Sequence, residues 1–250
     1  IMPSNADGSM TFRQNSDLFY LSGVDQEESI LVIFPDCWEE KHKEVLFLKE
    51  TSEKIAIWEG AKLTKEQATE VSGVKTVYWL SEFERIFKMV ACEAKNIYLN
   101  TNEHLRALVE VETRDTRFIY WCKRNYPLHQ YERSAPIMHE LRSVKTESEI
   151  QLIRQACSIT EKGIRRILKF IKPGVMEFEI EAELTHEFLR NRSRGHAYSP
   201  IIASGENSCV LHYVDNDKEC KTGDVLLMDF GAEYANYASD LTRCVPVSGK

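Results

Sequence analysis

Residues 223–243 read Gly223-Asp224-Val225-Leu226-Leu227-Met228-Asp229-Phe230-Gly231-Ala232-Glu233-Tyr234-Ala235-Asn236-Tyr237-Ala238-Ser239-Asp240-Leu241-Thr242-Arg243. An apolar run at 225–228 leads to a turn near 234–236, and a second β-type run starts at Leu241, so the segment predicts a hairpin. With the turn centred between Tyr234 and Ala235, Asp229 and Asp240 fall directly opposite each other. Two ionised carboxylates facing across a ladder repel, and Asp229 ends an apolar run where it loses solvation. A shared proton relieves the repulsion. A divalent cation relieves it better, because carboxylate oxygens are hard donors that suit Mn²⁺, Mg²⁺ or Zn²⁺. The plainer reading, a turn-capping Asp229 and a solvated Asp240, is outweighed by the apolar strand and the matched positions. Glu233, beside the turn, reads as a solvated carboxylate.

Just upstream, Ala203-Ser204-Gly205-Glu206-Asn207-Ser208-Cys209-Val210-Leu211-His212-Tyr213 follows a β-type run at 200–203. A second short run at 209–213 places His212 at a strand end. A lone histidine is more often a satisfied side chain than a reagent. Its functional reading is as a donor to a developing oxyanion or as a proton shuttle. A serine triad through Ser204 or Ser208 lacks a nucleophile-elbow pattern.

Before this β-rich part, Thr146-Glu147-Ser148-Glu149 has the form of a capping box. Ile150, Ile153, Cys157, Ile164, Leu168 and Ile171 follow at helical spacing, and Lys172-Pro173-Gly174 closes the helix. A second helix carries Met176, Ile180, Leu184 and Phe188 inward and ends by Gly195. The first half alternates between strand-like runs (30–34, 45–48, 55–58, 76–79, 97–99) and helical patterns (64–72, 81–92, 102–125), which indicates an α/β domain with a mixed sheet. The pattern breaks around 133–143. The division expected is therefore an α/β domain over residues 1–140 and an α+β domain over 141–250.

Composition excludes several classes. The 250 residues are 43% hydrophobic and 28% charged, an ordinary globular balance, with a net charge of −7 that disfavours phosphate-tracking nucleic-acid binding. The longest apolar runs, such as Ile30-Leu31-Val32-Ile33-Phe34, fall far short of the roughly 20 residues that span a bilayer. The start has neither a basic nor an apolar leader region, and the seven cysteines include no C-x-x-C pair. Both features lead to the expectation of a cytoplasmic protein with free thiols. Trp38, Trp58, Trp79 and Trp121 are scattered and read as packing residues. A first residue that is not Met and a last stretch that runs from a strand into a turn lead to the expectation of a fragment truncated at both ends.

The run Tyr198-Ser199-Pro200-Ile201-Ile202-Ala203-Ser204-Gly205-Glu206-Asn207, continued by Leu211-His212-Tyr213 and the Asp229 to Asp240 block, resembles the pita-bread metallopeptidases. Phe12-Arg13-Gln14-Asn15-Ser16-Asp17-Leu18-Phe19-Tyr20-Leu21-Ser22-Gly23 is similar to the N-terminal-domain signature of the Xaa-Pro aminopeptidases within that superfamily. The resemblance covers essentially the whole chain and implies an α/β N-terminal domain followed by an incomplete pita-bread catalytic domain.

By resemblance, Asp229 matches a ligand of one metal and Asp240 the ligand that bridges two. His212 matches an active-site histidine that contacts the substrate. The implied cofactors are two divalent ions, manganese first, with zinc or cobalt as alternatives. The implied substrate is a peptide with proline in second position. A homodimer or homotetramer is expected, and neither nucleic acid nor membrane is an expected partner. Arg13, Gln14 and Asp17 are expected to be structural or inter-subunit residues. The family holds its metals with two Asp, one His and two Glu. No His or Glu follows Asp240 here, so two of five ligands are present and the chain alone is expected to be inactive. A prolidase, a creatinase-like hydrolase and a non-catalytic peptide- or histone-binding domain are the alternatives within the same fold.

Overall fold

The computed structural model describes residues 6, 8–103 and 110–249. It divides into two compact units, Ile1–Val144 and Lys145–Lys250. The division falls a few residues after the expected boundary because the stretch that seemed to break the pattern is itself folded, as a strand at Gln130–Arg133 and a helix at Ala135–Ser143.

The first unit runs α1 (Ser16–Ser22), β1 (Ile30–Ile33), β2 (Glu44–Leu48), α2 (Glu53–Glu59), α3 (Lys65–Ser72), β3 (Thr76–Trp79), α4 (Phe83–Glu93), β4 (Asn96–Leu99), α5 (Arg114–Asn125), β5 (Gln130–Arg133) and α6 (Ala135–Ser143). Strand β2 lies between β1, which is antiparallel to it, and β3, which is parallel. Strands β4 and β5 pair in parallel. Val45, Leu46, Phe47 and Leu48 are all fully buried. Val45 and Phe47 pack with Phe83, Ile86 and Phe87, while Leu46 and Leu48 pack with Val24, Ala68 and Val74. Burial on both faces is why β2 reads as a continuous apolar run rather than an alternating one.

Two expected elements differ in this unit. Residues 55–58 form part of helix α2, not a strand, because the Ser52 hydroxyl accepts the Ile55 N–H and caps a helix start. Its Ile57 and Trp58 are exposed. The helix expected over 102–125 begins only at Arg114, capped by Thr113, and residues 104–109 of that expectation lie outside the described residues. Gln14 and Asp17 hold the unit together internally. The buried Gln14 amide donates to the carbonyls of Val24 (3.1 Å) and Gln26 (2.9 Å), and Asp17 accepts from Arg142 at 2.5 Å. Trp79 and Trp121 pack in clusters, whereas Trp38 is 80% exposed and so is not a packing residue.

The second unit runs α7 (Glu147–Phe170), α8 (Glu177–Arg190), β6 (Ile201–Ser204), β7 (Val225–Phe230), β8 (Glu233–Tyr234), β9 (Tyr237–Ala238) and β10 (Leu241–Pro246). The capping box at Thr146 and Glu149 forms as expected, and the buried Glu149 also accepts from the Tyr237 hydroxyl at 2.9 Å. Strands β10, β7 and β6 make an antiparallel sheet in that order. Leu226, Met228 and Phe230 alternate onto one face and are fully buried with Ile159, Ile180, Leu184 and Phe188 of the two helices. The opposite face of β7 carries Leu227 and Asp229.

The buried stripe of α7 differs from the expected one. Ala156, Ile159, Thr160, Gly163 and Ile167 are buried, while Cys157 and Leu168 face out. Small residues mark the contact because α8 approaches closely, and hydrophobicity alone cannot register that. On α8, Met176 is the half-buried N-cap, and the residue that turns inward there is Glu177.

Gly163 sets the helix spacing. A methyl group added there would lie 2.8 Å from a ring carbon of the fully buried Phe188 and 3.1 Å from Leu184. Gly163→Ala gains about 1 kcal/mol of helix propensity and meets an overpacking cost of about 1–3 kcal/mol. The variant should therefore be less stable than the wild type by urea denaturation. A more stable variant would mean that the helices have room to part.

Candidate metal-binding face

The hairpin forms, but in a different register from the expected one. Asp229 pairs with Thr242 and Phe230 with Leu241; the same register continues through Glu233 opposite Ala238 and Tyr234 opposite Tyr237. The turn is therefore centred on Ala235 and Asn236, both with left-handed backbone (φ 48° and 67°). Consecutive residues of this kind make the two-residue turn whose twist suits a hairpin. Asp240 consequently faces Gly231, not Asp229. Since side-chain direction repeats every second residue, the shift of two leaves both carboxylates on one face as diagonal neighbours.

Gly231 makes this approach possible. A methyl group on it would sit 1.8 Å from the Ser239 carbonyl oxygen. Ser239, next to Asp240, is buried and fastened to α7: its hydroxyl lies 2.7 Å from that of Thr160, and both hydroxyls accept from the Ala232 N–H. Glu233 is not a solvated carboxylate. It is 2% exposed, with one oxygen accepting from the Asn236 N–H and the other without a partner among the described residues.

What joins the two aspartates is the Tyr198 hydroxyl, 2.6 Å from Asp229 Oδ1 and 3.0 Å from Asp240 Oδ1. A phenol has one proton and can donate to only one carboxylate at a time. Burial, and then donation to the two carboxylates, pushes the Tyr198 phenol well above its ordinary range. It therefore remains a neutral donor. Asp229 is half-buried and Asp240 is exposed. Two hard, anionic oxygen donors that share a single proton donor fit a divalent cation in chemistry. They are too few to complete a coordination shell, and among the described residues no group of three or more His, Cys, Asp or Glu could hold a metal.

His212 lies on a different element. Residues 205–209 form a 3₁₀ turn, and the strand expected over 209–213 does not form, so His212 lies in an exposed turn. Gly205 enters that turn with φ 57°, which explains why a β run cannot continue. The structure does not place His212 in contact with either aspartate. Its neighbour Tyr213, however, packs with Ile201, Ala203 and Leu227. Ile201 is the ladder partner of Asp229, and Leu227 shares its face. The loop is thus docked on the aspartate side of the sheet. Sequence reasoning passed over Tyr198, Gly231 and Glu177 as functional or positioning residues. No local pattern marks them, because each acts through a fold contact distant in sequence.

With this geometry established, comparison with known proteins is informative. Metallopeptidase family M24 matches residues 151–250, and the aminopeptidase P N-terminal domain family matches residues 1–98. The chain is similar along both units to the aminopeptidase P group of the M24 metallopeptidases. Xaa-Pro aminopeptidase of Escherichia coli is 34% identical over 98% of this chain and 56% of its own length, and that of Haemophilus influenzae is 31% identical over 98% and 54%. Among solved structures, Pseudomonas aeruginosa aminopeptidase PepP superposes with a TM-score of 0.86 at 28% identity, covering 99% of this chain and 56% of that one. The chain spans a little over half the length of the curated relatives it matches. The fold is accordingly the expected one, an α/β N-terminal domain with a pita-bread catalytic segment. No helix among the described residues is long and apolar enough to cross a membrane.

The shared hydroxyl has a measurable consequence. Tyr198→Phe should cost about 1.5–3 kcal/mol in the presence of a chelator, the scale of a hydrogen bond to a charged group. In a double-mutant cycle with Asp229→Asn, urea denaturation should show clear coupling. Strict additivity would mean that the hydroxyl does not bind the carboxylates in solution.

Proposed function

We propose that the protein is a dinuclear-metal aminopeptidase that releases the N-terminal residue from peptides with proline in second position. The observation that carries this reading is the pair Asp229 and Asp240 on one face, joined by the Tyr198 hydroxyl. Xaa-Pro aminopeptidases among the relatives support the substrate class. In this reading Asp229 and Asp240 would both be metal ligands, and further ligands would have to come from side chains other than those of the described residues. Manganese is the proposed metal, with zinc and cobalt as alternatives. A cytoplasmic homodimer or homotetramer is the proposed form.

Divalent ions held by such carboxylates supply Lewis acidity to the scissile carbonyl and to water. The chain's own residues do the rest. Hydrolysis adds water across the bond between the first residue and the proline nitrogen, and negative charge develops on the carbonyl oxygen. His212, exposed on a loop docked to the aspartate face, is the proposed donor to that oxygen, where a placed hydrogen bond acts most strongly in the transition state. Tyr198 keeps the two carboxylates aligned as acceptors, and Gly231 lets their strands close.

The test is metal content. Protein expressed from the complete reading frame should carry about two divalent ions per chain by elemental analysis, as two-metal hydrolases do. Asp240→Asn should lose the metal and the activity together while the far-ultraviolet circular dichroism is kept. A variant that kept both would overturn the assignment of Asp240.

A further inference from the structure

We propose that Glu177 is a positioning residue for His212, holding the loop that carries it at the aspartate face; this rests on the reading of His212 given above. Glu177 is the first residue of α8, is fully buried, and has every strong acceptor direction occupied. Its Oε1 accepts from the Ser204 N–H (2.7 Å) and the Asn207 side-chain amide (3.3 Å). Its Oε2 accepts from the Tyr213 hydroxyl (2.7 Å) and the Lys218 N–H (3.0 Å). The Glu177 N–H in turn donates to the Lys218 carbonyl at 2.9 Å. One carboxylate therefore ties together the end of β6, the 3₁₀ turn, the residue beside His212 and the far end of the loop.

Little else can hold this segment. The apolar residues around His212 point to solvent, with Val210 54%, Leu211 90% and Val214 52% exposed. Among the described residues, the apolar cluster that holds the loop includes Tyr213. The second polar anchor is Asn216, buried and left-handed (φ 47°), whose side chain accepts from the Ile202 N–H and donates to Pro200 O and to Glu181. A buried carboxylate is costly unless fully hydrogen-bonded, and simple stability is served as well by an apolar side chain. What a carboxylate adds is direction: four donors must converge on two atoms, and only one loop conformation brings them there. Its place in the first turn of a helix favours the negative charge.

Two substitutions separate this role from plain stability. Glu177→Gln keeps the shape but replaces one acceptor oxygen with an N–H donor, which opposes a backbone N–H on either side, that of Ser204 or that of Lys218. Tyr213→Phe keeps the packed ring and removes the hydroxyl, with its contact to Glu177 and its weaker contacts to Asp217. In protein expressed from the complete reading frame, with metal content checked, each should lower kcat on an Xaa-Pro-Xaa tripeptide about tenfold with KM changed less than about threefold, the pattern of a lost transition-state interaction. In a His212→Ala background, each should cost less than about twofold further, because residues acting as one unit are not additive.

Equal losses in both backgrounds would reduce Glu177 to a structural residue and overturn the proposal. So would wild-type kinetics in both variants. If His212→Ala is itself silent, the reading of His212 fails and this inference fails with it. An impaired His212→Ala with additive Glu177→Gln sinks only the inference. Tyr213→Phe decides the matter if Glu177→Gln does not fold.

Discussion

Two consecutive residues with left-handed backbone, Ala235 and Asn236, close the β7–β10 hairpin and set the register in which Asp229 faces Thr242 and Asp240 faces Gly231. A slip of one residue would send Asp240 to the opposite face from Asp229. A slip of two would bring the carboxylates directly opposite each other, at the closest and most repulsive spacing. The observed register puts them on the diagonal, close enough for one phenol to reach both. The register is held away from the turn as well: Leu226, Met228 and Phe230 fill the core beneath α7 and α8, and Ser239 is fastened to Thr160. Core packing on one face and carboxylate placement on the other are thus one constraint read from two sides.

The aspartate face also shows how this unit uses buried carboxylates. Glu149 closes a capping box and takes a hydroxyl from the hairpin, and Glu177 gathers four donors from the His212 loop. Asp224, beside Gly205, accepts from the Lys221 N–H and the Ser204 hydroxyl, which hold its carboxyl below the ordinary range. In each case the acceptor organises irregular backbone that has no ladder of its own. Such carboxylates are a structural means of shaping loops, distinct from the Asp229 and Asp240 pair, whose one shared donor leaves their charge uncompensated.

Much of this was legible in the sequence where pattern and structure have the same period. The helix after Thr146 declares its start by a capping box, and the strand at 45–48 by a run buried on both faces. The aspartates are legible as a pair because each sits at a fixed distance from one turn. The reading failed where the deciding contact is remote. Nothing local says that Ala235 adopts a left-handed conformation, so the sequence alone does not locate the turn centre. Residues 55–58 look like a strand until Ser52 is seen as a cap. The buried stripe of α7 includes Ala156, Thr160 and Gly163, which carry little hydrophobic signal, so apolar spacing alone favours Cys157. Glu177 and Tyr198 look like any surface Glu and Tyr until the fold brings four donors to one and two carboxylates to the other.

We propose that the Asp229 and Asp240 face belongs to a proline-directed aminopeptidase site. The most direct measurement is a comparison, in Mn²⁺-supplemented buffer, of three peptides presented to protein from the complete reading frame: Xaa-Pro-Xaa, Xaa-Ala-Xaa and the dipeptide Xaa-Pro. The first residue should be released from Xaa-Pro-Xaa, with little release from the other two. Cleavage of the dipeptide alone, or equal cleavage of the proline and alanine tripeptides, would contradict it.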